Sequence, residues 1–525
     1  MNGSKKIACI LLPLILLAFA APTACLHAAA PKKNVIFMIM DGTNSDAVTL
    51  SRWYKGSPLH LDGILTGGVR TYSAESAITD SAAAGTAMAT GVKTKADYIG
   101  MDPEGRPLIT VLEAAKLNGY ATGIVATSPV QHATPAAFTS HAITREEFSS
   151  IGEQQVYQDL DVVLGGGSAW LAPKEKNHHQ DDGMLKTDEV TRKDGEDLKK
   201  PLRDAGYAYI DTRKELLLEP SAGKLWGAFA SEDLSYDLDR SELKPDEPTL
   251  REMTRTAISH LSKEKKGFFL MIEGSKVDWA AHQHDPVGMI NEILSFDRAV
   301  GEALSFAKKD GNTMVVAVTD HGNSGLTIGN TDLDGSYKHQ SVNRFIDPLK
   351  KARLTVEGAA SLLEGKGAKD ALDAYGLDSQ SCRWSPSKKE LKAQMTSSLS
   401  QKAGLGFTTH GHTGEDVFLY AFGPGKPSGL HENTDLPGIM ADFLGFSLGT
   451  YRSWYADGRD SLEKQGYKVT LKTATANPEM VAKKGKTILR FPENKNYYMS
   501  NDDKIPLKSV TVFNGKTFYI HLDSM

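Results

Sequence analysis

The sequence predicts an α/β fold: one large, mostly parallel sheet flanked by helices on both faces, with a long insertion and a C-terminal β appendage. Three observations predict it. Apolar runs rich in Val, Ile and Phe recur along the chain. Stretches of helical period separate them. Three of the runs end directly in an acidic residue. A strand covered on both faces reads as an unbroken apolar run, because neither face meets water. Such strands alternating with helices build a parallel sheet.

The elements follow in order. Residues 34–40 are the first strand. Residues 108–118 read as a helix closed by Gly119, and 121–127 as the next strand. A strand at 161–164 runs into Gly165-Gly166-Gly167. A helix at 249–263 precedes a strand at 267–272, and a long helix at 286–309 precedes one at 313–319. A late strand at 416–422 and a late helix at 435–444 complete the set. The α/β unit is therefore expected at 31–322 and 410–464. Residues 323–409 break the rhythm; Gly- and Lys-rich, with helical stretches at 347–363 and 388–399, they read as an insertion serving as lid or dimer contact. Residues 465–525 carry short strand candidates at 467–471, 487–490, 510–513 and 517–521, the pattern of a β-rich appendage.

Composition narrows the function classes. Hydrophobic residues are 40% and charged residues 24% of the 525, which excludes a disordered, collagen-like or coiled-coil chain. The formal charge of −5 gives no reason to expect nucleic acid as a partner. Residues 1–30 form a secretory signal: Lys5 and Lys6, an apolar run over 7–20, then Ala-rich cleavage sites. That run is short against the ~20 residues a bilayer span needs. Export to the periplasm or the medium is expected, with no stable membrane span. Of Cys9, Cys25 and Cys382, cleavage beyond Cys25 leaves one, so no internal disulfide is expected.

The chemistry collects at strand ends. Residues 34–40 run into Asp41-Gly42, 267–272 into Glu273-Gly274, and 313–319 into Asp320-His321-Gly322. In an open α/β sheet the carboxyl ends of strands open into the ligand crevice. Three carboxylates gathered there repel one another unless a cation sits among them. Asp278 and His282 stand at i and i+4, on one face if helical, a spacing suited to one metal. His412 is the candidate third ligand and His410 the less favoured one. Thr79-Asp80-Ser81 followed by Ala82-Ala83-Ala84 is a helix start. Ser81 then either caps that helix or is a nucleophile beside its free N–H groups and positive dipole end. No G-x-S-x-G elbow surrounds it, so a nucleophilic Ser81 would depend on a metal to lose its proton.

Taken together, these residues resemble the alkaline phosphatase family. Asp80-Ser81-Ala82 is similar to its nucleophile motif, and His132-Ala133-Thr134-Pro135 with Arg145 to its magnesium and phosphate segment. Glu273, Asp278 and His282, then Asp320-His321-Gly322, then His412-Thr413-Gly414 are similar to its metal motifs. The resemblance covers about 34–445, with the insertion and appendage outside it. It implies an alkaline-phosphatase-like fold and hydrolysis of phosphate monoesters to alcohol and inorganic phosphate through a phosphoserine on Ser81. It implies Arg145 on the phosphate, a first Zn2+ on Asp278, His282 and His412, and a second on Asp41, Asp320 and His321. It implies a third ion, commonly Mg2+, on Asp41, Thr134 and Glu273, and a homodimer. Some members carry Asp and Lys where this chain has His132 and Trp279, so the identity of the third ion stays open. His132 is expected beside that ion rather than on it. Two other readings compete: a phosphodiesterase or sulfatase of the same superfamily, and an exported zinc- or phosphate-binding protein without turnover. Ser81 followed by three alanines argues against the sulfatase, and Arg145 against the diesterase.

Overall fold

Seven consecutive buried residues, Asn34–Met40, form β1, and their side chains divide between two cores. Ile36, Met38 and Met40 join one apolar cluster, while Val35, Phe37 and Ile39 join another on the opposite face. The period of two along a strand produces this division. The computed structural model describes residues 32–173, 192, 194–218, 223–365, 367–378, 380 and 387–521. The signal expected at 1–30 and Cys382 lie outside the described residues.

The remaining strands up to residue 432 are β2 (Leu65–Arg70), β3 (Ala121–Pro129), β4 (Val162–Gly166), β5 (Tyr207–Ile210), β6 (Lys224–Ala228), β7 (Phe268–Gly274) and β8 (Thr313–Val318). After them come the two-residue strands β9 (Gly322–Asn323), β10 (Thr327–Ile328), β11 (Leu405–Gly406) and β12 (His412–Thr413), then β13 (Val417–Phe422) and β14 (Gly429–Glu432). Ten of them form one sheet, in the order β14-β2-β13-β8-β1-β7-β3-β4-β6-β5. Only β13 runs against the rest, antiparallel to both β8 and β2. The sheet is thus mixed and mostly parallel, as expected for strands buried on both faces. Leu250–Leu261 and Pro286–Asp310 cover the first cluster, and Val111–Leu117 and Leu436–Leu444 the second. Thr110 and Thr249 start two of these helices with capping boxes on Glu113 and Glu252. Among the described residues no helix is long and apolar enough to cross a membrane.

The helix expected over 347–363 is broken. Leu349–Lys351 is one 3-10 turn and Val356–Ser361 a separate helix. Between them the N–H groups of Arg353 and Leu354 both bond to the Ala374 carbonyl, at 2.9 and 3.2 Å. A partner outside the helix takes donors that a continuous helix needs. The C-terminal residues form a five-stranded antiparallel meander, Lys468–Lys472, Glu479–Lys484, Thr487–Pro492, Tyr497–Ser500 and Asp503–Pro506. A separate three-stranded sheet contains Val512–Phe513 and Phe518–Ile520, shorter than the strands expected at 510–513 and 517–521.

Candidate active site and metal centre

β8, β1 and β7 are neighbours in the sheet and end level with one another, because Ile39 registers against both Val318 and Glu273. Asp41, Asp320 and Glu273 therefore meet at one edge, each no more than 1% exposed. The Asp41 N–H bonds the Gly274 carbonyl at 3.2 Å, which locks this alignment. Helix Lys276–His282 starts just beyond β7 and adds Asp278, 4% exposed. Gly42, at φ 64°, lets the chain turn under it; a Cβ there would lie 2.5 Å from Asp278 Oδ1.

Three imidazoles face these carboxylates, and backbone carbonyls fix the tautomer of each. His282 Nδ1 donates to the His410 carbonyl at 2.5 Å, His412 Nδ1 to Thr79 at 2.9 Å, and His321 Nδ1 to Gly322 at 3.1 Å. A carbonyl only accepts, so each Nδ1 carries the hydrogen and each Nε2 offers a lone pair. Pairing of β12 with β9, His412 against Asn323, brings His412 beside His321, with ring centroids 3.6 Å apart. His282 Nε2 is 3.3 Å from Asp278 Oδ2 and 3.3 Å from His412 Nε2. His321 Nε2 is 3.2 Å from Asp320 Oδ2 and 3.5 Å from Asp41 Oδ1. Donor atoms of Asp278, His282 and His412 lie within 4.8 Å of one another, and so do those of Asp41, Asp278 and His321. Asp278 thus reaches both groups, a position its spacing in the sequence does not reveal.

These residues fit metal ions. Both Asp41 oxygens, Asp320 Oδ2, Glu273 Oε1 and Thr134 Oγ1 are buried without a hydrogen-bond partner. Such orphaned acceptors cost free energy unless a cation takes them. Burial, then the charges of Asp320, Asp278 and Glu273, pushes the Asp41 carboxyl well up from its ordinary range. Glu273 is pushed up to about 7, by burial and the charge of Asp320 against a hydrogen bond from Ser275. Burial also acts to raise Asp278, but His282, His321 and His412 hold it well below the usual carboxylate range. Carboxylates pushed apart in this way are the electrostatic signature of a cation site.

Ser81 opens the helix Ser81–Thr90, but Asp80 caps it, accepting from Ala83 N at 3.1 Å. The reading of Ser81 as the cap is therefore replaced. Its hydroxyl is left 3.1 Å from His321 Nε2, on a residue 2% exposed. Arg145 lies on the same side: Nη1 donates to Asp80 Oδ2 at 3.4 Å and Nη2 to His132 Nε2 at 3.1 Å. His132 thereby touches the arginine, and its Nδ1 is buried without a partner. Burial and the Arg145 charge push His132 down to about 3, so it stays neutral and able to accept. Trp279 meets His132 edge-on at 5.6 Å. Arg145, His132, Trp279 and His282 line a cleft of 1690 Å³ whose other wall includes Lys388 and Lys392 of helix Lys388–Ala403. His410 is not in either donor group. Asn323, absent from the sequence reading, donates to Asp278 Oδ1 at 2.6 Å and aims that carboxylate. No motif marks it; only its place beside His321 in the chain hints at a role.

Comparison with known proteins agrees with this fold. The family model described as "Alkaline phosphatase" matches residues 32–446, and that span includes 323–409. Alkaline phosphatase 3 of Bacillus subtilis is 37% identical over 434 residues, covering 77% of this chain and 87% of that protein. The cold-active alkaline phosphatase of the psychrophile Shewanella sp. superposes with a TM-score of 0.67 at 28% identity, over 78% of this chain and 99% of that one. A variant of the TAB5 alkaline phosphatase, solved with Mg bound in its M3 site, matches at a TM-score of 0.57 and 26% identity, over 80% of this chain and 100% of that one.

Proposed function

This chain belongs to the alkaline phosphatase family and is a phosphoric monoester hydrolase, and we propose that it works through a phosphoserine on Ser81 at a centre of two Zn2+ and one Mg2+. The observation that carries this reading is the buried Ser81 hydroxyl at a helix N-terminus, 3.1 Å from His321 Nε2, with the cap of that helix, Asp80, bonded by Arg145. Asp278, His282 and His412 would hold the first zinc, and Asp41, Asp320 and His321 the second. Asp41, Thr134 and Glu273 would hold the magnesium, the ion that the TAB5 variant carries in its M3 site. The imidazole–carboxylate donor sets suit zinc, and the all-oxygen set suits magnesium. When bound, these ions lower the cost of deprotonating a hydroxyl and of expelling an alkoxide.

The chain's own groups position the reaction. Arg145 has a planar fork that grips two phosphoryl oxygens, and Asp80 and His132 aim it. The N–H groups that open helix Ser81–Thr90 favour negative charge on Ser81. The Ser81 Oγ–phosphorus bond forms as the ester bond breaks and the alcohol leaves with a proton. Water then cleaves the phosphoserine and releases inorganic phosphate. Contacts to the phosphoryl group alone would leave the leaving group free to vary. We further assign export to the periplasm or medium, a homodimer, and 323–409 as the segment that forms one wall of the cleft or meets the second subunit.

The test combines elemental analysis with trapping. The purified protein should hold two zincs and one lighter ion per chain, hydrolyse p-nitrophenyl phosphate faster than its diester or sulfate analogues, and lose activity to chelators. Acid-quenched enzyme should carry covalent phosphate that Ser81→Ala lacks. Normal turnover by Ser81→Ala would end this reading.

A further inference from the structure

His410 stands two residues from the ligand candidate His412 and points elsewhere. Its Nδ1 donates to the His282 carbonyl at 2.8 Å, while His282 Nδ1 donates back to the His410 carbonyl at 2.5 Å. The two residues form a reciprocal pair that engages ring and backbone on both sides. The pair leaves His282 with one orientation: Nδ1 toward the loop, Nε2 toward Asp278 and His412.

A second set of contacts holds the pair in place. His284 stacks between Phe407, at 4.5 Å and 11°, and His410, at 3.8 Å and 5°. Its Nε2 donates to the Thr409 carbonyl at 2.7 Å. His284 adopts φ 53°, a left-handed backbone that costs a side-chain-bearing residue free energy and persists only where its surroundings fix it. Phe407 and Thr409 follow directly on β11, which is held within 323–409 by its pairing with β10, Leu405 against Ile328. Thus the last segment of 323–409 is fastened to the turn that presents a metal donor, through groups that are not themselves donors.

We propose that His410 is a positioning residue for the first metal: its reciprocal pair with His282, steadied by the Phe407–His284–His410 stack, presents His282 Nε2 to the ion. This rests on the metal reading above. A group that bonds the far nitrogen of a ligating imidazole fixes its tautomer and direction, and its loss weakens metal affinity about 10- to 100-fold; here that group is the His410 carbonyl, which the His410 ring holds in place through its own bond to the His282 carbonyl. A loop staple of purely structural value would instead alter stability and leave the two zinc sites alike.

The experiment measures zinc affinity on metal-stripped protein by competition with a chromophoric chelator, resolving both sites, for the parent, His410→Ala and His410→Asn. The Asn amide places an N–H near the position of Nδ1. His410→Ala keeps that carbonyl but loses the ring that holds it, so one zinc site should weaken by about 10-fold, the low end of that range, while the other is unchanged, with most of the loss restored in His410→Asn. His410 is exposed, so the fold should tolerate both changes. Two sites of parental affinity in His410→Ala overturn the proposal alone. Equal weakening at both sites, or no rescue by Asn, also overturns it. A parent chain that takes up no zinc overturns the metal reading and this proposal with it.

Discussion

Residues 323–409 and the C-terminal residues from 447 onward both flank the sheet, yet they are attached by different physics. The first shares the main apolar core: Leu349, Leu354, Val356, Tyr375 and Met395 belong to the same cluster as Ile36 and Met38. Buried acids reinforce it, with Asp285 accepting from Val356 N at 2.9 Å and Tyr375 Oη at 2.7 Å. The second has its own small core, built on Leu462, Met480, Ala482, Phe491 and Phe518. It meets the body through Met101, Val510 and Val512 and through buried polar groups. Lys495 pairs with Glu153 and Glu196. Tyr455 Oη donates to Glu113 Oε1 at 3.1 Å, beside His141 Nε2 at 3.1 Å from the same oxygen. The segments also reach different halves of the site. One touches the metal side through His284, two residues from His282, and the other touches His141, four residues before Arg145. Apolar burial involves no titrating group and is insensitive to pH, whereas buried charge is not. The two attachments should therefore fail under different conditions.

The sharpest separation of the two halves is functional. Asp278→Ala removes a donor common to both groups, so activity should fall on the order of a thousandfold or more together with loss of bound zinc. Arg145→Ala should cost about 100- to 1000-fold in kcat/KM and weaken inhibition by phosphate, with metal content unchanged. If Arg145→Ala also lost zinc, the two halves would not be independent. Elemental analysis beside steady-state kinetics of both variants decides this.

Next in size is the buried pair on the C-terminal side. His141→Ala leaves Glu113, 4% exposed, without its counter-charge, at a cost of about 3 kcal/mol in a urea unfolding series. The pair also predicts a pH dependence. Burial acts to lower His141, but the Glu113 charge and hydrogen bond overcome it and hold the imidazole above its ordinary 6.5. Burial acts to raise Glu113, but His141 and the Thr110 and Gln158 hydrogen bonds hold it below 4.5. A raised histidine contributes stability that is present below 6.5 and lost as pH rises through its folded value. A lowered carboxyl contributes stability that is present above 4.5 and lost as pH falls through its folded value. The stability difference between parent and His141→Ala should therefore be largest between pH 4.5 and 6.5 and shrink as pH rises through the folded value of His141. A difference that grew with pH would contradict the charged pair.

The sequence made the centre of the sheet legible and its margins illegible. β1, β7 and β8 are unbroken apolar runs, and each runs into or ends at a carboxylate. β2, with Gly67 and Gly68, and the four-residue β5 and β14 carry too little apolar signal to stand out. The helix expected over 347–363 failed because a distant carbonyl, that of Ala374, claims its N–H groups. At the site, residue types and order pointed to the donors. They could not show that Asp80 rather than Ser81 caps the helix, or that Asp278 reaches both donor groups. Those facts depend on which oxygen faces which neighbour, and spacing does not encode that.

The smallest expected effect tests the attachment of the C-terminal residues most cleanly. Tyr455→Phe keeps the ring that packs edge-on against His141 at 4.9 Å and removes only the hydroxyl. Glu113 keeps its bonds from His141, Gln158 and Thr110, so no charge is stranded. The loss should be that of one hydrogen bond to a charged acceptor, about 1.5 kcal/mol. Because the hydroxyl and His141 Nε2 share Glu113 Oε1, the loss should be smaller in a His141→Ala background only if the two bonds act as one network. A double-mutant cycle by urea unfolding at pH 7 measures this. Strict additivity would mean that the tyrosine and the histidine hold the C-terminal residues independently, and the charged pair would then explain the pH dependence without explaining the docking.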